Sequence, residues 1–145
     1  MLGKIILSFV SIFGLFGGWL ADFNDTHIYN PNWSGHAKFH VGHTMIIGTT
    51  LGVASLYFLF ISKMGTRLER LNVSTLLNSI YWFSQSLSIL VPFATYFDPD
   101  FKRKMPVING FQLTQLHLDI VLLTLCAIGY LIERANIKSE HVKTK

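Results

Sequence analysis

The chain has 145 residues, of which 50% are hydrophobic and only 14% are charged, and its formal net charge is +4 at pH 7. A soluble domain typically carries about 25% charged residues, so this composition argues against a soluble globular protein. The small positive charge is explained by membrane topology, so we expect no nucleic-acid partner. The composition predicts an integral, multi-pass membrane protein in contact with the lipid bilayer.

Four apolar segments follow one another along the chain. Each approaches or exceeds the ~20 residues that a helix needs to cross a hydrocarbon core. They predict an all-α fold, a four-transmembrane-helix bundle with up-down-up-down order and a polar first loop. Residues 1–145 would form one membrane domain with a frayed polar tail at 133–145. The predicted spans are residues 5–21, 41–62, 73–97 and 109–132.

The first and second segments each carry a pair of glycines spaced four residues apart. These pairs are Gly14 with Gly18 and Gly48 with Gly52. Small residues at this spacing let two membrane helices approach closely, so both pairs predict packing faces. Ser34 is a predicted N-cap of the second helix, because its hydroxyl can accept from free backbone N–H groups one turn later.

The stretch at residues 22–43 holds four of the six histidines in the chain. If the second helix begins near Gly35, then His36, His40 and His43 share one face of it. Their density at a membrane boundary predicts a function, because unpaired polar groups are costly there.

In the third segment, Asn78, Trp82 and Gln85 form one stripe, whose amides we expect to bond across to other helices. Pro92 is expected to kink this helix near its far end. In the fourth segment, Asp119 lies about two turns into the predicted span, where a carboxylate is expensive.

Cationic residues predict the orientation of the spans. In most membrane proteins, cytoplasmic loops contain more lysines and arginines than the loops on the other side of the membrane. In the four-span arrangement eight lie on the side of both termini and four on the other, so both termini are predicted to be cytoplasmic. The eight are Lys4, Lys63, Arg67, Arg70, Arg134, Lys138, Lys143 and Lys145, and the four are Lys38, Lys102, Arg103 and Lys104.

Alternating spans bring the chemistry-bearing residues to one membrane face, whichever way the protein is oriented. We expect a polar pocket there, capped by the first loop. The predicted catalytic set is Asp22, His36, His40 and Asp119, and the predicted ligand-binding set is His27, Trp33, His43, Gln112 and Gln115.

The sequence leaves several chemistries open for this pocket. A transition metal such as zinc or iron would use His36, His40 and His43, because HxxxH on a helix presents two imidazoles to one ion. Acid-base catalysis on a lipid-soluble substrate would use a histidine and an aspartate. A haem between His40 or His43 and His117 is a further alternative. In a purely structural alternative, the same residues only line the membrane interface and join helices by hydrogen bonds.

The segment from Trp19 to Met45, with its Asp, His, Asn-Pro and Trp residues and the sequence HAKFH, resembles a group of small four-span membrane proteins. The whole-chain layout is distantly similar to the EXPERA (emopamil-binding-protein) superfamily and to DoxX-like proteins. The EXPERA resemblance implies a sterol-like ligand and isomerase-like chemistry, with His36, His40 and Asp119 as candidates. No glutamate lies within the predicted spans, unlike the sterol isomerases, so only the architecture carries over.

These observations predict a small membrane enzyme acting on a hydrophobic or sterol-like molecule. The alternative is a non-catalytic lipid-binding or accessory subunit whose polar cluster serves helix packing. Whether the protein is an enzyme, and whether a metal is its cofactor, is left open by the sequence.

Overall fold

The computed structural model describes residues 1–97 and 107–143, except for the side chains of His141 and Lys143. Four helices make up most of this part of the chain, which confirms the all-α fold class. A two-stranded antiparallel hairpin, β1 (Val107–Ile108) and β2 (Phe111–Gln112), precedes the last helix. The helices are α1 (Leu2–Asp22), α2 (Gly35–Leu56), α3 (Arg67–Leu87) and α4 (Gln115–Lys143).

Side chains that cap the backbone define where two of the helices begin. The Ser34 hydroxyl accepts a hydrogen bond from the Ala37 N–H at 3.2 Å, so α2 begins where the sequence predicted. Before α3, Thr66 and Glu69 form a capping box, in which each side chain accepts from the other residue's backbone N–H. A π-helical turn at Tyr57–Ile61 prolongs α2.

Three helices in the described part of the chain are long and apolar enough to cross a membrane: Leu2–Asp22, Gly35–Ile61 and Gln115–Glu140. This finding fits a membrane protein. The helix α3 is not one of these three, because it begins with charged residues and carries several polar side chains.

Two predicted helix ends differ from the structure. The third helix ends at Leu87 and is followed by a 3₁₀ turn at Ser88–Leu90, whereas the sequence predicted a span to residue 97. Pro92 explains the early end, since proline lacks an N–H and disfavours helical geometry at the residue before it. The predicted cationic loop at residues 102–104 lies outside the described residues.

The polar tail is helical to Lys143, which corrects the frayed end predicted for residues 133–145. An ion pair joins the first turn of this tail to α3. Glu133 is buried, and its carboxylate lies 3.6 Å from the Arg67 guanidinium, which also pairs with Glu140. These ion pairs to α3 stabilise a helical extension that hydropathy alone does not indicate.

Glycines bring α1 close to its two neighbours. A Cβ atom at Gly52 would lie 2.6 Å from the Ser11 carbonyl oxygen, and one at Gly48 would lie 2.9 Å from that of Gly14. The predicted glycine faces of α1 and α2 therefore pack against each other. On the other side of α1, a Cβ at Gly3 would lie 2.6 Å from the Gly129 carbonyl oxygen of α4, a contact that the sequence analysis missed.

A buried polar cluster joins α1, α2 and α3; we call it the serine cluster, and it consists of Ser11, Ser55, Ser74 and Asn78. Ser11 Oγ lies 2.9 Å from Asn78 Oδ1 and 3.0 Å from Ser55 Oγ. Ser55 Oγ lies 2.8 Å from Ser74 Oγ, and Asn78 Nδ2 donates to the Leu7 carbonyl oxygen at 3.1 Å. The predicted bonding of the Asn78 amide to another helix is thus present.

Two apolar clusters flank these contacts and complete the core. One consists of Val10, Trp82, Leu122 and Cys126, and the other of Leu7, Leu59 and Leu71. The first cluster includes residues of α1, α3 and α4 and therefore holds the helices that position the site described next.

Candidate functional site

A cavity of about 370 Å³ opens between α2, α3 and the segment that follows α3. Its volume falls in the range of about 300–1,000 Å³ that is typical of small-molecule sites. Apolar side chains form part of its wall, namely Ile47, Leu51, Ile80, Ile89 and Ala94. The polar part consists of His43, Thr44, Tyr81, Ser84, Gln85, Ser88, Thr95, Tyr96 and Gln115.

Gln85 is the polar residue of this wall whose hydrogen bonding is incomplete. Its Oε1 atom is buried and has no hydrogen-bond partner among the described residues. A buried amide oxygen without a partner costs about 1–3 kcal/mol, so such atoms are usually satisfied. Because Gln85 belongs to the cavity wall, its amide oxygen is a candidate acceptor for a molecule in the cavity.

Asp119 lies one helical turn beyond Gln115 and is almost completely buried, with 1% of its surface exposed. Its Oδ2 atom accepts from the Ser86 hydroxyl at 3.2 Å, whereas its Oδ1 atom has no partner among the described residues. Asp119 itself does not line the cavity. The hydroxyls of Ser8 and Thr75 are also buried, have no partner in the part of the chain that the structure describes, and are outside the cavity wall.

Tyr81 connects the cavity with the two aspartates of the predicted catalytic set. Its phenol lines the cavity, and the carboxylates of Asp22 and Asp119 both interact with it electrostatically. Asp119 at the start of α4 contacts Ser86 of α3, so these two helices meet at this level of the molecule. The predicted shared site of Asp22 and Asp119 stays a prediction.

The first loop folds around Asp22 and His27. Asp22 Oδ1 lies 3.6 Å from His27 Nδ1, and Thr26 Oγ1 lies 2.6 Å from the same ring nitrogen. The His27 ring packs edge-on against Trp33, with ring centroids 5.0 Å apart. These contacts organise the loop, and none of the four residues lines the cavity.

The other histidines of the predicted site do not act as one group. His36 and His40 are exposed, and their Nε2 atoms lie 3.1 Å apart, whereas His43 lines the cavity. Within residues 1–97 and 107–143, no three His, Cys, Asp or Glu side chains are placed to hold one metal ion. The predicted His36, His40 and His43 set therefore does not fit the three or four protein ligands that zinc sites use.

Two other residues with predicted roles belong to the start of α4. The Nδ1 atom of His117 accepts from the Thr114 backbone N–H at 3.1 Å, so this ring caps the helix. Gln112 lies in β2, opposite Val107, and is not part of the cavity wall, whereas Gln115 is.

Sequence reasoning missed Tyr81 as a site residue. It named Gln85 only as a helix-joining amide. The available signal was the combination of Tyr81, Ser84, Gln85 and Ser88 within two turns of one apolar segment. A contact between two helices does not require four polar side chains so close together. In the structure, the four line the same cavity.

The fold and the site define a class: a small helical protein with three membrane-length apolar helices and a cavity lined by both apolar and polar side chains. The sequence matches the model of a family of unknown function, DUF6640, over residues 6–144, and the chain belongs to this family. No curated protein and no solved structure matches it. The matched family is neither the EXPERA nor the DoxX-like one, so those distant resemblances have no support here.

Proposed function

We propose that this chain is a four-span membrane protein that binds a hydrophobic molecule with a polar end group in the cavity between α2 and α3. The observation that carries the proposal is the cavity itself, which combines an aliphatic wall with a buried, unpartnered amide oxygen on Gln85. Binding does not require the predicted catalytic set of Asp22, His36, His40 and Asp119, so the proposal rests on the cavity residues.

The apolar outward face of α3 supports the proposal that α3 also crosses the membrane, in addition to α1, α2 and α4. Large apolar side chains on this face are exposed, whereas Ser74, Asn78 and Trp82 are buried against the other helices. Some of the polar residues that lower the mean hydropathy of α3 face the other helices, and the apolar residues of its outward face suit contact with lipid. The exposed residues are Val73, Leu76, Ile80, Phe83 and Leu87.

Contacts between successive helices favour an up-down order. Gly18 faces Met45 and Gly14 faces Gly48, so residue numbers fall along α1 as they rise along α2. Gly48 with Tyr81 and Ser55 with Ser74 give the same opposed direction for α2 and α3. Ser79 with Cys126 and Ser86 with Asp119 give it for α3 and α4. With the predicted excess of cations on one side, both termini would face the cytoplasm.

The chemistry of the wall indicates what kind of molecule the cavity takes. Isoleucine and leucine side chains suit an aliphatic or sterol-like body. The Gln85 oxygen requires a hydrogen-bond donor, such as a hydroxyl group, because an unmatched acceptor would remain costly. A lipid alcohol meets both requirements and can enter from the bilayer.

Binding can be tested with two lipid alcohols on the purified, delipidated chain in detergent micelles. Dehydroergosterol is rigid and is followed by the polarisation of its own fluorescence, and hexadecanol is flexible and competes with it. We expect saturable binding of at least one of them. Ile80→Trp, which places a large ring in the cavity, should weaken binding at least tenfold. Gln85→Leu should weaken it about fivefold through the lost hydrogen bond.

Ile128→Trp is the matched control, because Ile128 is 43% exposed and Ile80 is 41% exposed, yet only Ile80 lines the cavity. The control should bind within twofold of the wild-type chain. If neither alcohol binds saturably, or if both tryptophan variants behave alike, the proposed function is wrong.

Acid-base catalysis on the bound molecule is the second candidate, and Tyr81 favours it. This phenol lines the cavity, and two carboxylates interact with it electrostatically. A phenol in the wall of a cavity can donate or accept a proton at a substrate atom. His43, in the same wall, provides a second titratable group.

The catalytic candidate is tested on the molecule that co-purifies with the chain. Its extract is incubated with fresh wild-type or Tyr81→Phe protein and separated by liquid chromatography with mass detection. An isomerase should produce a new peak of unchanged mass with wild-type protein and not with Tyr81→Phe. Tyr57→Phe, outside the cavity wall, should retain the activity. An unchanged extract with wild-type protein contradicts catalysis and leaves the binding function.

A further inference from the structure

A second cavity, of about 250 Å³, lies at the other end of the helices from the one near Gln85. Residues of α1, α3, α4 and the π-helical turn that prolongs α2 line it. Its lining includes Lys4 of α1, Ser62 after the π-helical turn, Arg67 and Arg70 of α3, and Glu133 of α4. Three cations and one carboxylate give this lining a formal charge of +2. We refer to it as the basic pocket.

Two of the three cations in the basic pocket have no acidic partner. Arg67 is paired, since it contacts both Glu133 and Glu140. In the described residues no carboxylate lies within ion-pair distance of Lys4 or Arg70. Arg70 donates to the Gly65 carbonyl oxygen at 2.7 Å, and Lys4 Nζ lies 5.4 Å from the centroid of the Phe60 ring.

The surroundings of the basic pocket are apolar and exposed. Phe60 lines the pocket and is 58% exposed, and the neighbouring Ile61 is 67% exposed. A ligand held there would therefore have an anionic group among cations and an apolar part against aromatic and aliphatic side chains. Anionic phospholipids have this composition, and basic pockets between membrane helices bind their headgroups.

We propose that the basic pocket binds the phosphate group of an anionic phospholipid, with Lys4 and Arg70 supplying the charge. This site is separate from the cavity that Gln85 lines. The inference rests on one part of the proposed function, the placement of the helices in a membrane. Arginine and lysine at this end of the molecule face the cytoplasmic leaflet in the proposed orientation, where anionic lipids attract them.

The test measures lipid binding to the delipidated full chain by native mass spectrometry. Phosphatidic acid and phosphatidylcholine with the same acyl chains are the two probes. We expect the wild-type chain to bind phosphatidic acid at least tenfold more tightly. Lys4→Gln and Arg70→Gln should each weaken this binding about fivefold, the effect of one cation near an anionic surface.

Two variants control for folding and for general basic character. Arg70→Lys keeps the charge and should retain binding within about twofold. Arg134→Gln removes a cation at the same end that does not line the pocket, and it should change binding less than twofold. Dehydroergosterol binding should be unchanged in Lys4→Gln, which separates this test from that of the other cavity.

Three results would overturn the proposal. One is equal binding of both lipids by the wild-type chain, and another is an equal loss in Arg134→Gln and Arg70→Gln. The third is displacement of the lipid by millimolar inorganic phosphate, which would assign the pocket to free phosphate.

Discussion

The serine cluster and the region around Asp119 are two buried polar groups in the same set of helices, and their hydrogen bonding differs. In the serine cluster, every side chain lies within bonding distance of a partner on another helix or its own. Around Asp119, one carboxylate oxygen and the Gln85 amide oxygen have no partner in the described residues.

This difference indicates two different roles for buried polarity. Paired hydroxyls and amides hold membrane helices together, and small side chains allow the helices to approach closely enough to form the bonds. Unpaired acceptors beside a cavity reduce stability and are retained where they interact with something else. The comparison predicts that changes in the serine cluster affect folding, whereas changes near Asp119 affect binding.

The largest effect should come from the close helix contact beside the serine cluster. Gly52→Val would bring a side chain within 2.6 Å of the Ser11 carbonyl oxygen and force α1 and α2 apart. We expect a loss of about 3 kcal/mol in the free energy of unfolding, measured by SDS titration in mixed micelles.

Gly42→Val is the matched control on α2, because nothing lies within 4 Å of its added Cβ atom. It should change the free energy of unfolding by less than about 0.5 kcal/mol. Equal effects of the two valines would show that the contact between α1 and α2 is absent.

A smaller loss is expected from Asn78→Leu. This change removes the contact with Ser11 and the bond to the Leu7 carbonyl oxygen. Hydrogen bonds between membrane helices contribute about 0.6–1.7 kcal/mol each, so we expect a loss of about 2 kcal/mol in the same titration. Asn72→Leu, at an exposed position of α3, is the control and should be close to neutral. A neutral Asn78→Leu would contradict the structural role of the cluster.

Asp119→Asn should change stability by less than about 1 kcal/mol. The amide keeps an acceptor for the Ser86 hydroxyl and removes the cost of burying a charge. The same variant tests catalysis, because conversion of the bound molecule should fall if Asp119 acts through Tyr81. A loss of stability as large as that of Asn78→Leu would instead assign Asp119 to helix packing.

The smallest effect concerns Glu69, an exposed carboxylate that accepts a hydrogen bond at a helix start, in contrast to the buried Asp119. Glu69 accepts from the Thr66 backbone N–H, and this hydrogen bond lowers its pKa below the usual 4.5. A lowered folded-state pKa contributes stability above pH 4.5 that is lost as the pH falls through the folded-state pKa.

The thermal unfolding midpoint of the wild-type chain should therefore fall between pH 6 and pH 3 more steeply than that of Glu69→Gln. Glutamine retains an acceptor oxygen and does not titrate in this range. Parallel pH profiles for the two chains would contradict a contribution from the capping box.

Several features of the fold could be predicted from sequence because they depend on local patterns. The start of α2 at Gly35 follows from the capping preference of Ser34, and the close approach of α1 and α2 follows from glycine spacing. The order of the helices also predicts that Asp22 and Asp119 share one site, and this stays a prediction. The functional roles of the site residues stay predictions.

Other features depend on which side chains meet across helices, and local patterns do not encode this. Periodicity predicted one face for His36, His40 and His43, whereas in the structure His36 contacts His40 and, of the three, only His43 lines the cavity. The helical tail to Lys143 depends on an ion pair between Glu133 and Arg67, which are far apart in sequence.

The sequence by itself determined the helical class, the apolar segments and the small-residue faces, because these depend on composition and on the periodicity of one helix. Only the tertiary structure decided that serines and an asparagine from three helices pair with one another while Gln85 and Asp119 keep unpaired oxygens. The physical reason is that a hydrogen bond requires its two atoms to be about 3 Å apart, and helix packing sets that distance.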